Sequence, residues 1–143
     1  MFLGEFEHSI DDKGRVAVPA RFREELAEGI ILTRGFETCL QAFPRATWEV
    51  LRQSVSSLSI GTAEARDLRR LLFSGAAEVE VDRQGRILIS QNLRESAKLR
   101  EQVVMVGMDT YFEIWASDTW QNVLNTLSNS SSELAAQLAT LGM

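Results

Sequence analysis

Asp11-Asp12-Lys13-Gly14-Arg15-Val16-Ala17-Val18 returns as Asp82-Arg83-Gln84-Gly85-Arg86-Ile87-Leu88-Ile89, a shift of 71 residues. The echo persists downstream at a shift of 72, where Gly35-Phe36-Glu37-Thr38 matches Gly107-Met108-Asp109-Thr110. Leu40 then matches Phe112, Phe43 matches Trp115, and Thr47-Trp48 matches Thr119-Trp120. One single-residue length change across two such long copies marks a duplicated structural unit, and a repeat of this kind has to be recognised before the fold is assigned.

Each octet reads as the tip of a β-hairpin. Asp folds its carboxylate back onto turn amides, and Gly14 or Gly85 supplies the positive φ that a tight turn demands. Residues 6–10 and 15–18 are the two strands of the first copy. In the second copy Ala77-Glu78-Val79-Glu80-Val81 alternates cleanly between apolar and acidic residues, as a strand with one buried face does. Each hairpin leads into a short helix. Pro19 suits a first helical position ahead of Phe22 and Leu26, and Ser90 takes its place in the second copy as a cap before Leu93 and Ala97. Ile30-Ile31-Leu32 and Val103-Val104-Met105-Val106 are continuous apolar runs, hence buried strands. Further strands end at Phe43 and Trp115. Trp48, Leu51, Val55 and Leu58 follow at helical spacing, as do Trp120, Val123, Leu124 and Leu127, with Asp118 as the N-cap of the second helix. The unit is therefore hairpin, short helix, two strands, helix. Such an α+β unit has too few strands to bury its own core. Pairing the halves into one pseudo-twofold barrel, flanked by short helices, solves this.

Between the halves, residues 62–73 read as a linker helix capped by Thr62, with Leu68, Leu71 and Leu72 on its apolar face. Arg66, Arg69 and Arg70 share another face, which is ordinarily just solvated, with Glu64 and Asp67 as partners. Ser128-Asn129-Ser130-Ser131-Ser132 reads as a flexible break. A weak helix over residues 133–141 carries Leu134, Leu138 and Leu141, suited to docking on the body or on a neighbouring chain. The expected organisation is a first repeat with its linker helix over residues 1–75 (core 5–47), a second over 76–127 (core 76–119), and a hinge and terminal helix over 128–143.

A length of 143 residues suits one domain, or two small halves sharing a core. The N-terminus lacks a basic region ahead of an apolar one, so no signal peptide is expected, and no apolar run reaches the roughly 18 residues of a membrane span. Cys39 is the only cysteine, which excludes an internal disulfide and a thiolate metal cluster. These features are those of a cytosolic protein. Charge is more informative by location than by sum. The net value is −5, yet all 15 Lys and Arg lie within residues 1–100, balanced there by 15 Asp and Glu. Residues 101–143 carry the whole negative excess. Arginine outnumbers lysine 13 to 2, and arginine is the residue that makes planar bidentate contacts. A neutral body with local arginine clusters binds anions through one face.

Enzyme chemistry finds few components. His8 is the sole histidine, so a triad or Cys–His pair has no other imidazole to use. There is no P-loop and no G-x-G-x-x-G fingerprint. The carboxylate pair Asp11 and Asp12 is broken in the second copy, where Arg83 replaces Asp12. No cofactor, metal, small-molecule substrate or membrane partner is expected. Trp48, Trp115 and Trp120 sit at matching apolar positions and read as core anchors. The hairpin tips are the better site. Asp11 and Arg15 flank a three-residue turn and emerge opposite one another, as do Asp82 and Arg86, and a cross-strand ion pair accounts for the two acids. It does not account for Lys13 and Arg83, which add a second positive charge at each tip. Two basic tips related by a pseudo-twofold suit duplex DNA, and β-ribbon readers place strand-borne arginines in a groove.

Met1-Phe2-Leu3-Gly4-Glu5-Phe6, followed by Asp-x-x-Gly-Arg-x-x-x-Pro and by a second Asp-x-x-x-Arg, closely resembles the bacterial MraZ proteins over residues 1–124. The resemblance implies an AbrB-like swapped-hairpin barrel built from two tandem repeats, and a ring-shaped homo-oligomer. It implies a nucleoid-associated transcriptional regulator that represses the cell-division and cell-wall operon beginning with its own gene, through short direct repeats in upstream double-stranded DNA. The family's Asp-x-x-x-Arg motif carries over onto Asp11 and Arg15, and onto Asp82 and Arg86; Lys13 and Arg83 join them on charge and position, and Gly14 and Gly85 shape the turns. Pro19 has no counterpart at Ser90. Two rivals stand beside this reading: an antitoxin-like protein acting through its C-terminal tail, since AbrB-type barrels also neutralise toxins that way, and an enzyme in which Asp11 and Asp82 share a pocket.

Overall fold

The hairpins expected from the sequence form, but their strands pair with the opposite repeat. A computed structural model describes residues 1–143. The first repeat contributes β1 (Glu5–Ser9), β2 (Arg15–Ala17), α1 (Ala20–Arg23) with a 3-10 turn over Glu24–Leu26, β3 (Ile30–Arg34), β4 (Leu40–Pro44) and α2 (Arg45–Ser56). The linker helix α3 (Ala63–Ser74) follows. The second repeat contributes β5 (Ala77–Val79), β6 (Arg86–Leu88), α4 (Gln91–Ser96), β7 (Gln102–Gly107), β8 (Phe112–Ala116) and α5 (Ser117–Asn129), ahead of the terminal helix α6 (Ser131–Ala139).

Six strands form one antiparallel sheet in the order β1-β7-β8-β4-β3-β5, and β2 with β6 forms a separate two-stranded ribbon. Exchanging each strand for its repeat counterpart reverses the sheet order onto itself, which is the pseudo-twofold. At its centre Gln41 lies opposite its own counterpart, Glu113. β1 pairs with β7, β5 with β3 and β2 with β6. Within a hairpin the strands meet only at the turn, where the Asp11 amide donates to the Arg15 carbonyl at 2.9 Å and the Gly14 amide to the Asp11 carbonyl at 3.0 Å. This is the swapped hairpin in an α+β fold.

Alternation of side chains along the short strands builds the core. Val16 and Ile87 face inward from the ribbon, and Leu32, Leu40, Met105 and Ile114 from the sheet, all within one buried cluster of 18 residues. Phe22 lies 5.0 Å from Phe2 and 5.1 Å from Phe112, ring centre to ring centre, so aromatic packing joins the repeats. Each buried side chain of this size contributes about 1.5–3 kcal/mol. The tryptophans anchor two smaller clusters at equivalent positions: Trp48 against Phe43, and Trp120 against Trp115, both at 5.8 Å.

Several boundaries differ from the sequence reading. Pro19 stands at the N-cap of α1, one position before the first turn, whereas Ser90 caps α4 as expected, its Oγ accepting from the Leu93 amide at 3.3 Å. Thr62 likewise caps α3. Asp118 lies inside the first turn of α5, whose N-cap is Ala116. Leu58 falls beyond the end of α2 and is exposed. The Ser-rich stretch is helical except at Ser130, because polar side chains alone do not break a helix that Leu124 and Leu127 extend. The terminal helix buries no residue, so it does not dock on the body. No helix is long and apolar enough to cross a membrane.

Candidate nucleic-acid interface

Asp11 organises the first tip by collecting three donors. Its Oδ1 accepts the amides of Lys13 (3.0 Å) and Arg15 (2.9 Å), and its Oδ2 accepts Nε of Arg15 at 2.7 Å. Asp82 repeats this with Gln84 (2.9 Å), the Arg86 amide (2.8 Å) and Arg86 Nε (3.1 Å). Gly14 at φ 89° and Gly85 at φ 78° close the turns. The amide hydrogen bonds from Arg15 and Arg86, with their guanidinium contacts, hold both aspartates below the ordinary carboxylate range. These carboxylates are therefore fixed, ionised acceptors. In each pair only Nε of the arginine is taken. The terminal nitrogens, the pair of donors that recognises a guanine edge, make no hydrogen bond within the protein.

The ribbon joins the two tips into one surface. Val16 lies opposite Ile87 with both side chains inward, so Arg15, Ala17, Arg86 and Leu88 face outward. Arg15 is opposite Leu88 and Arg86 is opposite Ala17, which makes the arginines diagonal neighbours about 7–8 Å apart. Beyond the strands, the Val18 amide donates to the Gly85 carbonyl at 2.8 Å and the Ile89 amide to the Gly14 carbonyl at 2.9 Å. Four residue steps separate Gly14 from Gly85, about 13 Å at 3.3 Å per residue. Lys13 and Arg83 sit exposed just outside those ends. B-DNA's major groove is about 12 Å wide and admits a two-stranded ribbon. Arg15 and Arg86 thus share one short face, with Lys13 and Arg83 exposed in the turns at its two ends, where the sequence suggested two separate tips.

Two further arginines adjoin this face. Arg23 donates Nε to the Val18 carbonyl at 2.9 Å, and Arg94 donates Nε to the Ile89 carbonyl at 3.0 Å. Each lies eight residues after its tip arginine, Arg15 or Arg86, at the same shift of 71, so the repeat alignment itself carried the signal. The Arg66, Arg69 and Arg70 face plays another part. Arg69 reaches the carbonyls of Ser56 and Leu58, Arg66 that of Ile60, and Arg70 pairs with Asp67 at 2.7 Å. That face therefore binds the end of α2 to α3 and is not simply solvated.

Nothing here resembles a catalytic centre. Asp11 and Asp82 lie at opposite ends of the ribbon, so no shared carboxylate pocket forms. Burial first, then the neighbouring Arg23, push His8 below its ordinary value. Burial pushes the Cys39 thiol up to about 12, so it offers no thiolate at neutral pH. No cluster of three or more histidine, cysteine or carboxylate side chains could hold a metal ion.

Fold and site together define a class: a duplicated, swapped-hairpin α+β protein with a basic two-stranded ribbon on its outer face. A family described as "MraZ protein, putative antitoxin-like" matches residues 1–71 and again 72–141. The chain is 58% identical over 141 residues to the protein named Transcriptional regulator MraZ of Roseiflexus castenholzii, covering 99% of both chains. It is 45% identical over 143 residues to the one from Herpetosiphon aurantiacus, covering all of both, and 46% identical over 138 residues to the one from Carboxydothermus hydrogenoformans, covering 96% of both. The chain belongs to the MraZ family. These relatives carry the name of a regulator and not of an enzyme.

Proposed function

We propose that this protein is a sequence-specific, DNA-binding transcriptional repressor of its own cell-division and cell-wall operon, acting in the cytoplasm on nucleoid DNA. The observation that carries this reading is the pair Arg15 and Arg86 on one ribbon face, each held through Nε by an aspartate with its terminal nitrogens free. In the proposed complex the ribbon enters a major groove, the two arginines take base edges, and Lys13 and Arg83 hold the flanking phosphates. Each repeat contributes one half of this site, so the functional unit is the pair of repeats over residues 1–127, with 128–143 outside it.

A net charge of −5 makes a single protomer a weak DNA ligand. Several copies in a ring, presenting ribbons to successive direct repeats, raise affinity through effective concentration by about 10²–10⁴. The test is fluorescence anisotropy with duplex from the chain's own upstream region and with a scrambled duplex, across a salt series. Neutralising about eight phosphates gives a log–log salt slope of about −7. A steep slope and strong preference for the native duplex are expected. Arg15→Ala should weaken binding to the native duplex more than to the scrambled one, and equal losses would remove the base-reading role.

A second reading rests on α6 and the residues after it, where Leu134, Leu138 and Leu141 are exposed. A tail of this kind suits an antitoxin-like partner arm. DNA binding should survive deletion of residues 131–143 if α6 serves only that purpose.

A further inference from the structure

Each tip is held by the opposite repeat as well as by its own. The Gly14 carbonyl accepts the Ile89 amide at 2.9 Å, and the Gly85 carbonyl accepts the Val18 amide at 2.8 Å. The residue that donates each crossing hydrogen bond has its own carbonyl engaged by an arginine: Ile89 accepts Nε of Arg94 at 3.0 Å, and Val18 accepts Nε of Arg23 at 2.9 Å. The guanidinium then lies over the glycine of the opposite tip. A Cβ added to Gly14 would fall 3.1 Å from Cζ of Arg94, and one added to Gly85 would overlap the Arg23 guanidinium. Neither arginine forms an ion pair. The pattern thus appears twice, related by the pseudo-twofold, and in both cases crosses between repeats.

We infer that Arg94 is the positioning residue of the Lys13–Arg15 tip and Arg23 that of the Arg83–Arg86 tip, each repeat aiming the DNA-contacting side chains of the other. This rests on the proposed DNA-binding function for its consequence, but its geometry is testable without DNA. The planar guanidinium is the working feature: Nε holds a strand-end carbonyl while the guanidinium covers a glycine at positive φ, where a Cβ would crowd it. A lysine keeps the charge and loses both. A mutation in one repeat should therefore disturb the tip of the other and spare its own.

Amide hydrogen exchange of the full chain tests this directly. In Arg94→Ala, exchange at Lys13, Gly14, Arg15 and Ile89 should rise roughly tenfold or more, the scale of one lost charge-assisted hydrogen bond. Gln84, Gly85, Arg86 and Val18 should stay within about twofold of the wild type. Arg23→Ala should give the mirror image. Arg94→Lys, the gentler change, should reproduce the Arg94→Ala pattern. Equal acceleration at both tips, no acceleration, or full protection in Arg94→Lys overturns the assignment. On native duplex, Arg94→Ala should add less than about twofold to the loss caused by Arg15→Ala, and should multiply with Arg86→Ala. Multiplication with both overturns the positioning role. A crossed exchange pattern in a protein that shows no duplex preference would uphold the cross-repeat clamp and remove the proposed function instead.

Discussion

At the scale of single residues, the pseudo-twofold places an amide and an acid against each other with unequal consequences. Gln41 and Glu113 are counterparts in the repeat and neighbours in the central strand pair. Glu113 is buried, accepts Trp115 Nε1 at 2.9 Å, and has no cation beside it, while Oε1 of Gln41 is buried without a donor. Burial, the largest cause, pushes the Glu113 carboxyl above its ordinary value. A carboxyl raised on folding means that the native state binds the proton more tightly than the unfolded chain. Stability is then fully present below the unfolded value near 4.5 and declines as pH rises through the higher folded value. Glu113→Gln removes that decline and offers an N–H to Oε1 of Gln41. Urea unfolding between pH 4 and 8 should show a flatter pH profile and a gain of about 1 kcal/mol at neutral pH; a parallel profile would mean that Glu113 does not titrate with folding. Asp11 and Asp82 work in the opposite sense. Their lowered values make tip order a contribution present above the ordinary carboxylate range and lost as pH falls through the folded values.

At the scale of elements, the helices were legible where their signals are local and obscured where a distant partner acts. Thr62 capping α3 and Ser90 capping α4 depend on three-residue spacings, and the sequence shows both. The role of the Arg66, Arg69 and Arg70 face depends on where α2 ends, which no spacing within α3 reveals. Arg69 directs Nη2 to the carbonyls of Ser56 and Leu58 at 2.9 and 3.3 Å, placing a positive charge on the orphan acceptors and the negative dipole end of α2. Arg34 does the same for α3, through the carbonyls of Leu71 and Arg70 at 3.1 and 2.8 Å. Arg69→Ala should therefore destabilise the protein by about 1–2 kcal/mol in chemical denaturation. Its effect on DNA affinity should be small, because the helix end lies outside the ribbon. A stability-neutral Arg69→Ala with weakened DNA binding would return this face to the nucleic-acid surface. The geometry of the candidate site was legible in the same uneven way. Asp11, Arg15, Asp82 and Arg86 stand out because an i, i+4 pair across a turn is a local pattern, whereas their alignment on one ribbon requires β2 to pair with β6.

At the scale of the whole molecule, that cross-pairing is what makes the halves inseparable. Every strand of the first repeat takes a ladder partner from the second: β1 pairs with β7, β2 with β6, β3 with β5 and β4 with β8. The aromatic cluster draws Phe2 and Phe22 from one repeat and Phe112 from the other. A chain of residues 1–75 alone would leave β1 and β2 without partners and expose the inner faces of Val16, Leu32 and Leu40. Two such chains can supply one another, since the ribbon register places Val16 opposite the Ile87 counterpart and the central register places Gln41 opposite Glu113. In a homodimer these become Val16 against Val16 and Gln41 against Gln41, both sterically acceptable pairings. The isolated repeat should therefore be folded only as a dimer, and a denaturant midpoint that rises with protein concentration is the expected signature. Analytical ultracentrifugation should find twice the chain mass at high concentration and unfolded monomer on dilution, with no folded monomer between. A folded monomer of residues 1–75 would require β1 and β2 to close on their own repeat, and the tips would then owe nothing to Arg23 and Arg94. Covalent linkage of the two copies through α3 has the opposite effect: it makes pairing intramolecular, so the ribbon persists at any concentration. It also frees the two ends to differ, and they do, with Lys13 at one tip and Arg83 at the other. A ribbon with unlike ends has a direction along DNA, which is what the proposed binding to direct rather than inverted repeats requires.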